Sequence, residues 1–119
     1  MADIIKADLC IIGGGSGGLS VAAGAAQMGA KCVLVEKAKM GGDCLNTGCV
    51  PSKSLLAAAH TAHDARHGAR FGIDAGEVKA DFARVHDHVH GVIASIAPHD
   101  SVERFEELGV QVISAAAEF

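Results

Sequence analysis

Short apolar runs and helical periodicities alternate along the first third of the chain. Buried strands are predicted over residues 7–12 and 31–35, and the small and apolar residues of 16–28 predict a helix that packs closely on a sheet. Gly29 is expected to end this helix in a left-handed conformation. Two short apolar strands joined by a helix of this length form a right-handed parallel βαβ unit.

Residues 38–50 are rich in glycine and turn-forming residues, after which helical periodicity returns. The next helix is expected to begin near Pro51, because amides in the first turn need no intrahelical partner, and to continue to about Gly68. The remaining predicted elements are a connector at 71–73, an amphipathic helix at 79–97 with an apolar face from Phe82 to Ile96, a helical stretch at 101–108 ended by Gly109, and a third strand at 110–114.

Composition narrows the class of protein. A chain of 119 residues is at most one domain, and its 50% hydrophobic content with 15 glycines suits a compact α/β unit and excludes a disordered chain. A net charge of −4 gives no sign of a nucleic-acid or membrane-surface partner, and no apolar run approaches the roughly 20 residues that span a bilayer. The first six residues lack a secretory pattern, so a cytoplasmic location is expected.

A glycine pattern, Gly13-x-Gly15-x-x-Gly18, follows the first predicted strand and opens the first helix. In this context Gly13 makes a tight turn, Gly15 lets the backbone approach a pyrophosphate, and Gly18 lets helix and strand pack closely. Helix-terminal amides then hold the phosphates. Glu36, at the end of the second strand, can accept hydrogen bonds from adenosine ribose hydroxyls. The pattern predicts binding of a dinucleotide, either FAD or NAD. The alternative is that the glycine loop is only a tightly packed turn and that Glu36 is a solvated surface charge.

Two cysteines lie five positions apart, at Cys44 and Cys49. In an ideal helix such residues are about 7.5 Å apart along the axis, which is more than the usual Cα distance across a disulfide. A bridge therefore needs a distorted turn, which Gly48 permits, and its short loop gains only about 2 kcal/mol. Such a bridge is suited to being opened and closed. A zinc or iron–sulfur half-site would need two more ligands, whereas Cys10 and Cys32 are in predicted strands, where we expect both to be buried.

The segments 13–18 and 41–53, together with Glu36, are similar to the N-terminal part of the class I pyridine nucleotide-disulfide oxidoreductases. This family includes dihydrolipoamide dehydrogenase, glutathione reductase and mercuric reductase. The resemblance covers the whole chain. It implies a Rossmann-like α/β fold, in which residues 1–119 form the N-terminal part of an FAD-binding domain with an incomplete parallel sheet.

The resemblance also implies roles for individual residues. Cys44 would be the interchange thiol that attacks substrate, Cys49 would lie against the flavin ring as a charge-transfer thiolate, and Lys53 would stabilise reduced flavin by its charge. The residues that would contact FAD are Gly13, Gly15, Ser16, Gly17, Gly18, Glu36, Lys37, Gly41, Gly42, Asp43, Cys44, Lys53 and Ala117. Departures from the family pattern are Asp43 for threonine, Thr47 for valine, and an alanine run at 115–117 in place of a glycine-containing one.

The implied function of the parent protein is electron transfer from NAD(P)H through FAD and the Cys44–Cys49 disulfide to a disulfide or metal-ion substrate, or in reverse from a dithiol. Its enzyme class would be EC 1.8.1 or 1.16.1, and it would act as a homodimer. The NAD(P)H-binding and dimerisation domains of the family do not fit in 119 residues, so we expect this chain alone to be inactive. The alternative is a dinucleotide-binding module without redox turnover.

Seven histidines offer a possible metal site. His60, His63 and His67 share one helix face with Lys53, but metal ligands normally need a carboxylate or thiolate to complete the shell. We therefore predict no metal site and expect these side chains to be interfacial or solvated. His86, His88 and His90 alternate around the next helix, where they are expected to be solvated.

Overall fold

The structure is a computed structural model that describes residues 2–119. Its sheet has three parallel strands in the order β1-β2-β3, namely β1 (Leu9–Ile12), β2 (Cys32–Glu36) and β3 (Gln111–Ser114). Helix α1 (Ser16–Gln27) connects β1 to β2, and the remaining helices lie between β2 and β3. The α/β class and the parallel βαβ unit predicted from the sequence are confirmed, with strand bounds shifted by one or two residues.

The core lies between one face of the sheet and two helices. Leu19 and Ala22 of α1 are buried against Ile11 and Leu34, and the chain leaves α1 through Gly29, whose φ of +85° matches the predicted left-handed end. The buried members of this cluster are Ile11, Leu19, Ala22, Cys32, Leu34, Phe105 and Val110. Burial of their apolar surface at about 25 cal/mol per Å² is the main stabilising term here.

The opposite face of β1 is uncovered. Cys10 is exposed and Ile12 is 51% exposed, whereas Cys32 in β2 is buried. The prediction that Cys10 is buried is therefore wrong and that for Cys32 is confirmed. The reason is strand alternation: Ile11 points towards α1, so its neighbours Cys10 and Ile12 point away from it, on a strand at the edge of the sheet.

The turn-rich segment contains a short helix that the sequence analysis did not predict, α2 (Gly42–Asn46). The Asn46 side-chain amide donates to the carbonyls of Met40 and Gly42, at 3.2 and 2.8 Å. Five residues are too few to show a hydrophobic period, so pattern analysis cannot detect such an element. Helix α3 (Cys49–Arg66) then begins two residues before the predicted start, with Pro51 in its first turn.

Helix α3 packs beside α4 (Phe82–Ile96), and a 3₁₀ turn at Gly68–Phe71 follows α3. The Asp81 carboxylate caps α4 by accepting from the Arg84 amide at 3.2 Å. Phe82, predicted to lie on the apolar face, lines cavities with Leu55 of α3 and Val85 of α4, but it stands at the first position of α4 and is 72% exposed.

Helix α5 (Val102–Glu107) places Phe105 in the core next to β3. Its first turn is capped by Ser101, whose hydroxyl accepts from the Arg104 amide at 3.2 Å. None of the helices within residues 2–119 is both long and apolar enough to cross a membrane.

Candidate active site

The glycine loop forms a tight connection between β1 and α1. Gly13 has a φ of +104°, and its amide donates to the Val35 carbonyl at 2.8 Å, which ties the loop to β2. A Cβ placed on Gly18 would lie 1.9 Å from the Gly13 carbonyl oxygen, so only glycine lets α1 start this close to the strand. Ser16 and Gly17 stand in the first turn of α1, where the positive end of the helix faces the loop.

The glycine loop contacts the segment that carries the cysteines. The Gly41 amide donates to the Gly14 carbonyl at 2.8 Å, and a Cβ on Gly42 would lie 2.7 Å from the Cα of Gly15. Gly41 and Gly42 both have positive φ, at 90° and 60°. The two sequence motifs therefore form one continuous site, a contact between segments that spacing alone does not reveal.

Glu36 stands at the end of β2, as predicted, and its carboxylate binds two backbone amides. Gly14 donates to Oε2 at 2.6 Å and Ala38 donates to Oε1 at 2.8 Å. These hydrogen bonds, the one from Gly14 foremost, lower the pKa of Glu36. Neither contact follows from the sequence pattern, which carries no distances between segments. Each carboxylate oxygen accepts more than one hydrogen bond, so the carboxylate keeps acceptor capacity for ribose hydroxyls.

Two cavities adjoin Glu36. The larger, here called the Glu36 cleft, measures about 650 Å³ and is lined by residues that include Gly15, Glu36, Lys37, Gly42, Asp43 and His90. The smaller, here called the alanine cavity, measures about 320 Å³ and is lined by residues that include Gly13, Glu36, Lys37, Ala115, Ala116 and Ala117. Folding thus brings Ala117, distant in sequence, beside the glycine loop at the ends of the strands.

The two cysteines face each other across a sharp change of direction. Cys44 lies in α2, Cys49 is the first residue of α3, and a Cβ on Gly48 between them would lie 2.8 Å from the Asp43 carbonyl oxygen. The distorted turn that the sequence predicted at Gly48 is present. Both cysteines are free thiols, and Cys44 is placed to donate a hydrogen bond to the Cys49 side chain.

The hydrogen bond to Cys49, together with desolvation, raises the pKa of the Cys44 thiol. Lys53, on the next turn of α3, has the opposite effect on that pKa through its positive charge. Cys49 and Lys53 are therefore close enough to Cys44 to influence its ionisation. The three residues form the dithiol part of the site.

The histidines of α3 lie apart from this group. The rings of His63 and His67 stack with centroids 4.1 Å apart, and both side chains are exposed. In the part of the chain that the structure describes, no cluster of three or more His, Cys, Asp or Glu side chains is arranged to hold a metal ion.

A parallel α/β unit with a glycine loop at the strand ends, a strand-terminal carboxylate and a facing dithiol defines a dinucleotide-binding fold of the redox class. The sequence matches the family model of the pyridine nucleotide-disulphide oxidoreductases over residues 7–117. The chain belongs to this family. Family membership implies FAD and NAD(P)H as cofactors, and the glycine loop, Glu36 and the two cavities fit the FAD part.

Several dihydrolipoyl dehydrogenases are similar to this chain. Identity is 41% over 92 residues with that of Geobacillus stearothermophilus, 45% over 89 residues with one from Bacillus subtilis (strain 168), and 43% over 89 residues with that of Staphylococcus aureus. These alignments cover 77%, 75% and 75% of this chain but only 20%, 19% and 19% of the relatives. The chain therefore spans about one fifth of the length of the relatives it matches.

Proposed function

We propose that this chain is the N-terminal part of the FAD-binding domain of a longer disulfide oxidoreductase. The observation that carries the proposal is the pair of neighbouring free thiols, Cys44 and Cys49, on a segment in backbone contact with the glycine loop. A dinucleotide site alone needs no such pair, and a structural disulfide needs no dinucleotide site. In this chain the glycine loop and the cysteine segment meet at the hydrogen bond from Gly41 to Gly14. This contact fits a protein that passes electrons between a dinucleotide and sulfur.

The dinucleotide site of the proposal uses the two cavities beside Glu36. The glycine loop and the first turn of α1, with Ser16 and Gly17, hold the pyrophosphate, and Glu36 accepts from the ribose hydroxyls. The alanine cavity, with Ala117, receives the adenine. FAD, when bound, supplies two-electron exchange between NAD(P)H and the dithiol.

The cysteines carry the exchange with substrate. In the reducing direction, the Cys44–Cys49 disulfide takes up two electrons and two protons and opens to two thiols. The Cys44 thiolate then attacks one sulfur of a substrate disulfide and displaces the other sulfur as a thiolate, which is protonated. The Cys49 thiolate attacks Cys44 in this mixed disulfide, which releases the second substrate thiol and re-forms the Cys44–Cys49 bond.

Lys53 assists by electrostatics, because its charge favours the thiolate of Cys44 against the opposing effect of the hydrogen bond that the Cys44 thiol donates to Cys49. The similarity to dihydrolipoyl dehydrogenases favours a dithiol substrate such as dihydrolipoamide and the reverse direction of the same steps. EC 1.8.1 is therefore favoured over the metal-reducing class 1.16.1.

The proposal includes a homodimeric parent protein in the cytoplasm. The homodimer is what the family resemblance implies, and a reducing compartment suits a cysteine pair that is opened and closed rather than a permanent structural disulfide.

Reductive titration of the full-length protein tests the proposal. With FAD bound, two electrons per site from dithionite are expected to produce a long-wavelength absorption band from the thiolate beside the flavin. Cys49→Ser removes that thiolate and should abolish the band. Cys10→Ser changes an exposed cysteine of β1 that is not among the residues proposed to contact FAD. This control variant should leave the band intact.

The outcomes separate the rival functions. A protein that binds no FAD contradicts the proposal as a whole. A protein that binds FAD but shows no band with both cysteines intact is instead a dinucleotide-binding module without redox turnover.

A further inference from the structure

The side chain of Asn46 holds the turn that leads into α2. Its amide nitrogen Nδ2 donates to two backbone carbonyls, that of Gly42 at 2.8 Å and that of Met40 at 3.2 Å. These two residues flank Gly41, and Asn46 itself is half-buried at the last position of α2. One side chain therefore ties both sides of the turn to the far end of the helix that carries Cys44.

This turn is the part of the cysteine segment that contacts the glycine loop. The Gly41 amide donates to the Gly14 carbonyl at 2.8 Å, and a Cβ on Gly42 would meet the backbone of Gly15. Met40 adds a side-chain contact, since its thioether sulfur lies 2.9 Å from the place that a Cβ on Gly14 would take. The carbonyls that Asn46 binds therefore belong to residues that touch the loop or flank one that does.

Two glycines in succession leave this turn flexible unless another group restrains it. Gly41 and Gly42 have φ of 90° and 60°, and glycine loses more conformational freedom on folding than any other residue. A change in the Gly41 dihedral angles moves the two acceptor carbonyls relative to each other, which weakens at least one of the bonds from Asn46. The Asn46 amide therefore restrains the turn.

We propose that Asn46 is a positioning residue, which keeps the turn in the shape that seats the dithiol segment on the glycine loop. The inference rests on the proposed function, because it takes Cys49 as the thiolate beside the flavin. Asn46 lies between Cys44 and Cys49, so a displaced turn would misplace both thiols relative to the dinucleotide site. Misplacement of reacting groups by about 1 Å can slow a reaction about 100-fold.

Substitutions at position 46 remove the two hydrogen bonds in steps. Asn46→Ala removes both. Asn46→Ser keeps a hydroxyl that can donate to the carbonyl four residues earlier, that of Gly42, but not to the other carbonyl. Ser54 and Thr61 make such bonds in α3, at 2.8 and 2.9 Å. The matched control is Thr47→Val, which removes an exposed hydroxyl from the neighbouring residue.

The variants are compared as full-length proteins with FAD bound, by reductive titration with dithionite. The long-wavelength absorbance per bound FAD should fall from wild type to Asn46→Ser and fall again in Asn46→Ala, while Thr47→Val should match wild type. Electron transfer from reduced flavin to the disulfide should slow in the same order, by roughly ten- to 100-fold for Asn46→Ala. Because both quantities are referred to bound FAD, weaker binding alone does not lower them.

Hydrogen exchange gives a readout that needs no flavin. In the apoprotein the Gly41 amide is protected by its bond to the Gly14 carbonyl. If Asn46 restrains the turn, mass spectrometry of the peptide that contains residues 40–46 should show faster exchange in Asn46→Ala than in Thr47→Val. Equal exchange in these two variants would contradict the restraint.

The outcomes distinguish the inference from the proposed function. Variants at position 46 that lose thermal stability but keep the wild-type band per bound FAD have lost only a structural contact, which overturns the inference and leaves the proposed function standing. Folded variants that bind no FAD also overturn it, since Asn46 would then serve binding rather than placement of the dithiol. Should Asn46→Ala fail to fold, Asn46→Ser decides alone. A wild-type protein without FAD or without the band removes the proposed function and the inference with it.

Discussion

At the scale of single residues, Glu36 joins β2 to the glycine loop through its two carboxylate oxygens. The amides of Gly14 and Ala38 donate to them, and these bonds stabilise the ionised form, so the pKa of Glu36 lies below its ordinary value of 4.5. The Glu36 carboxylate therefore stabilises the fold whether or not a ligand is bound.

We expect Glu36 to make stability depend on pH in the acid range. The native carboxylate binds protons less readily than the unfolded one, so its contribution is complete above about pH 4.5 and is lost as the pH falls through the lowered native pKa. Glu36→Gln should remove this part of the dependence of the unfolding free energy on pH. Urea unfolding between about pH 3.5 and about pH 6 measures it.

The reference for that experiment is Glu107→Gln, which removes an exposed carboxylate from the end of α5, outside the site. Equal pH slopes for wild type and Glu36→Gln would contradict the assignment of acid sensitivity to Glu36.

At the scale of elements, the close approach of α1 to the loop after β1 fixes the geometry of the site. Gly18 meets the Gly13 carbonyl with no room for a side chain, whereas Gly24, in the middle of the same helix, has no atom within 4 Å of a Cβ. Gly18 is therefore required by the packing of α1 on the loop, whereas no contact requires a glycine at position 24.

Alanine substitutions distinguish these two glycines. Gly18→Ala should destabilise the protein by at least about 1–3 kcal/mol, because backbone atoms must move apart, and should weaken FAD binding. Gly24→Ala should stabilise it by roughly 0.5–1 kcal/mol, since alanine loses less entropy in a helix. The free energy of unfolding by urea is the measurement. Similar effects at both positions would show that α1 does not depend on this contact.

At the scale of the whole molecule, only one face of the sheet at β1 is covered. Ile11 is buried on the α1 side, while Cys10 is exposed and Ile12 is 51% exposed on the opposite face of this edge strand. Exposed apolar surface and an unpaired strand edge favour association between chains.

Residues 1–119 produced alone are therefore expected to self-associate and to oxidise no NAD(P)H, because the proposed parent protein binds that cofactor outside this segment. Size-exclusion chromatography should show species larger than the 12.0 kDa monomer, and Ile12→Thr should shift the population towards monomer. Val21→Thr, at a comparably exposed position on α1 away from the strand edge, is the control. A monomer that steadily oxidises NAD(P)H would contradict both expectations.

The sequence by itself determined the βαβ unit, the glycine loop, the carboxylate at the end of β2 and the need for a distorted turn at Gly48, because each depends on local periodicity or on backbone conformations that particular residues permit. Only the tertiary structure decided the contact of Gly42 with Gly15, the amides that hold Glu36, the exposure of Cys10 and the position of Ala117 beside the glycine loop. These depend on which faces of separate elements meet, and a linear pattern carries no distances between segments.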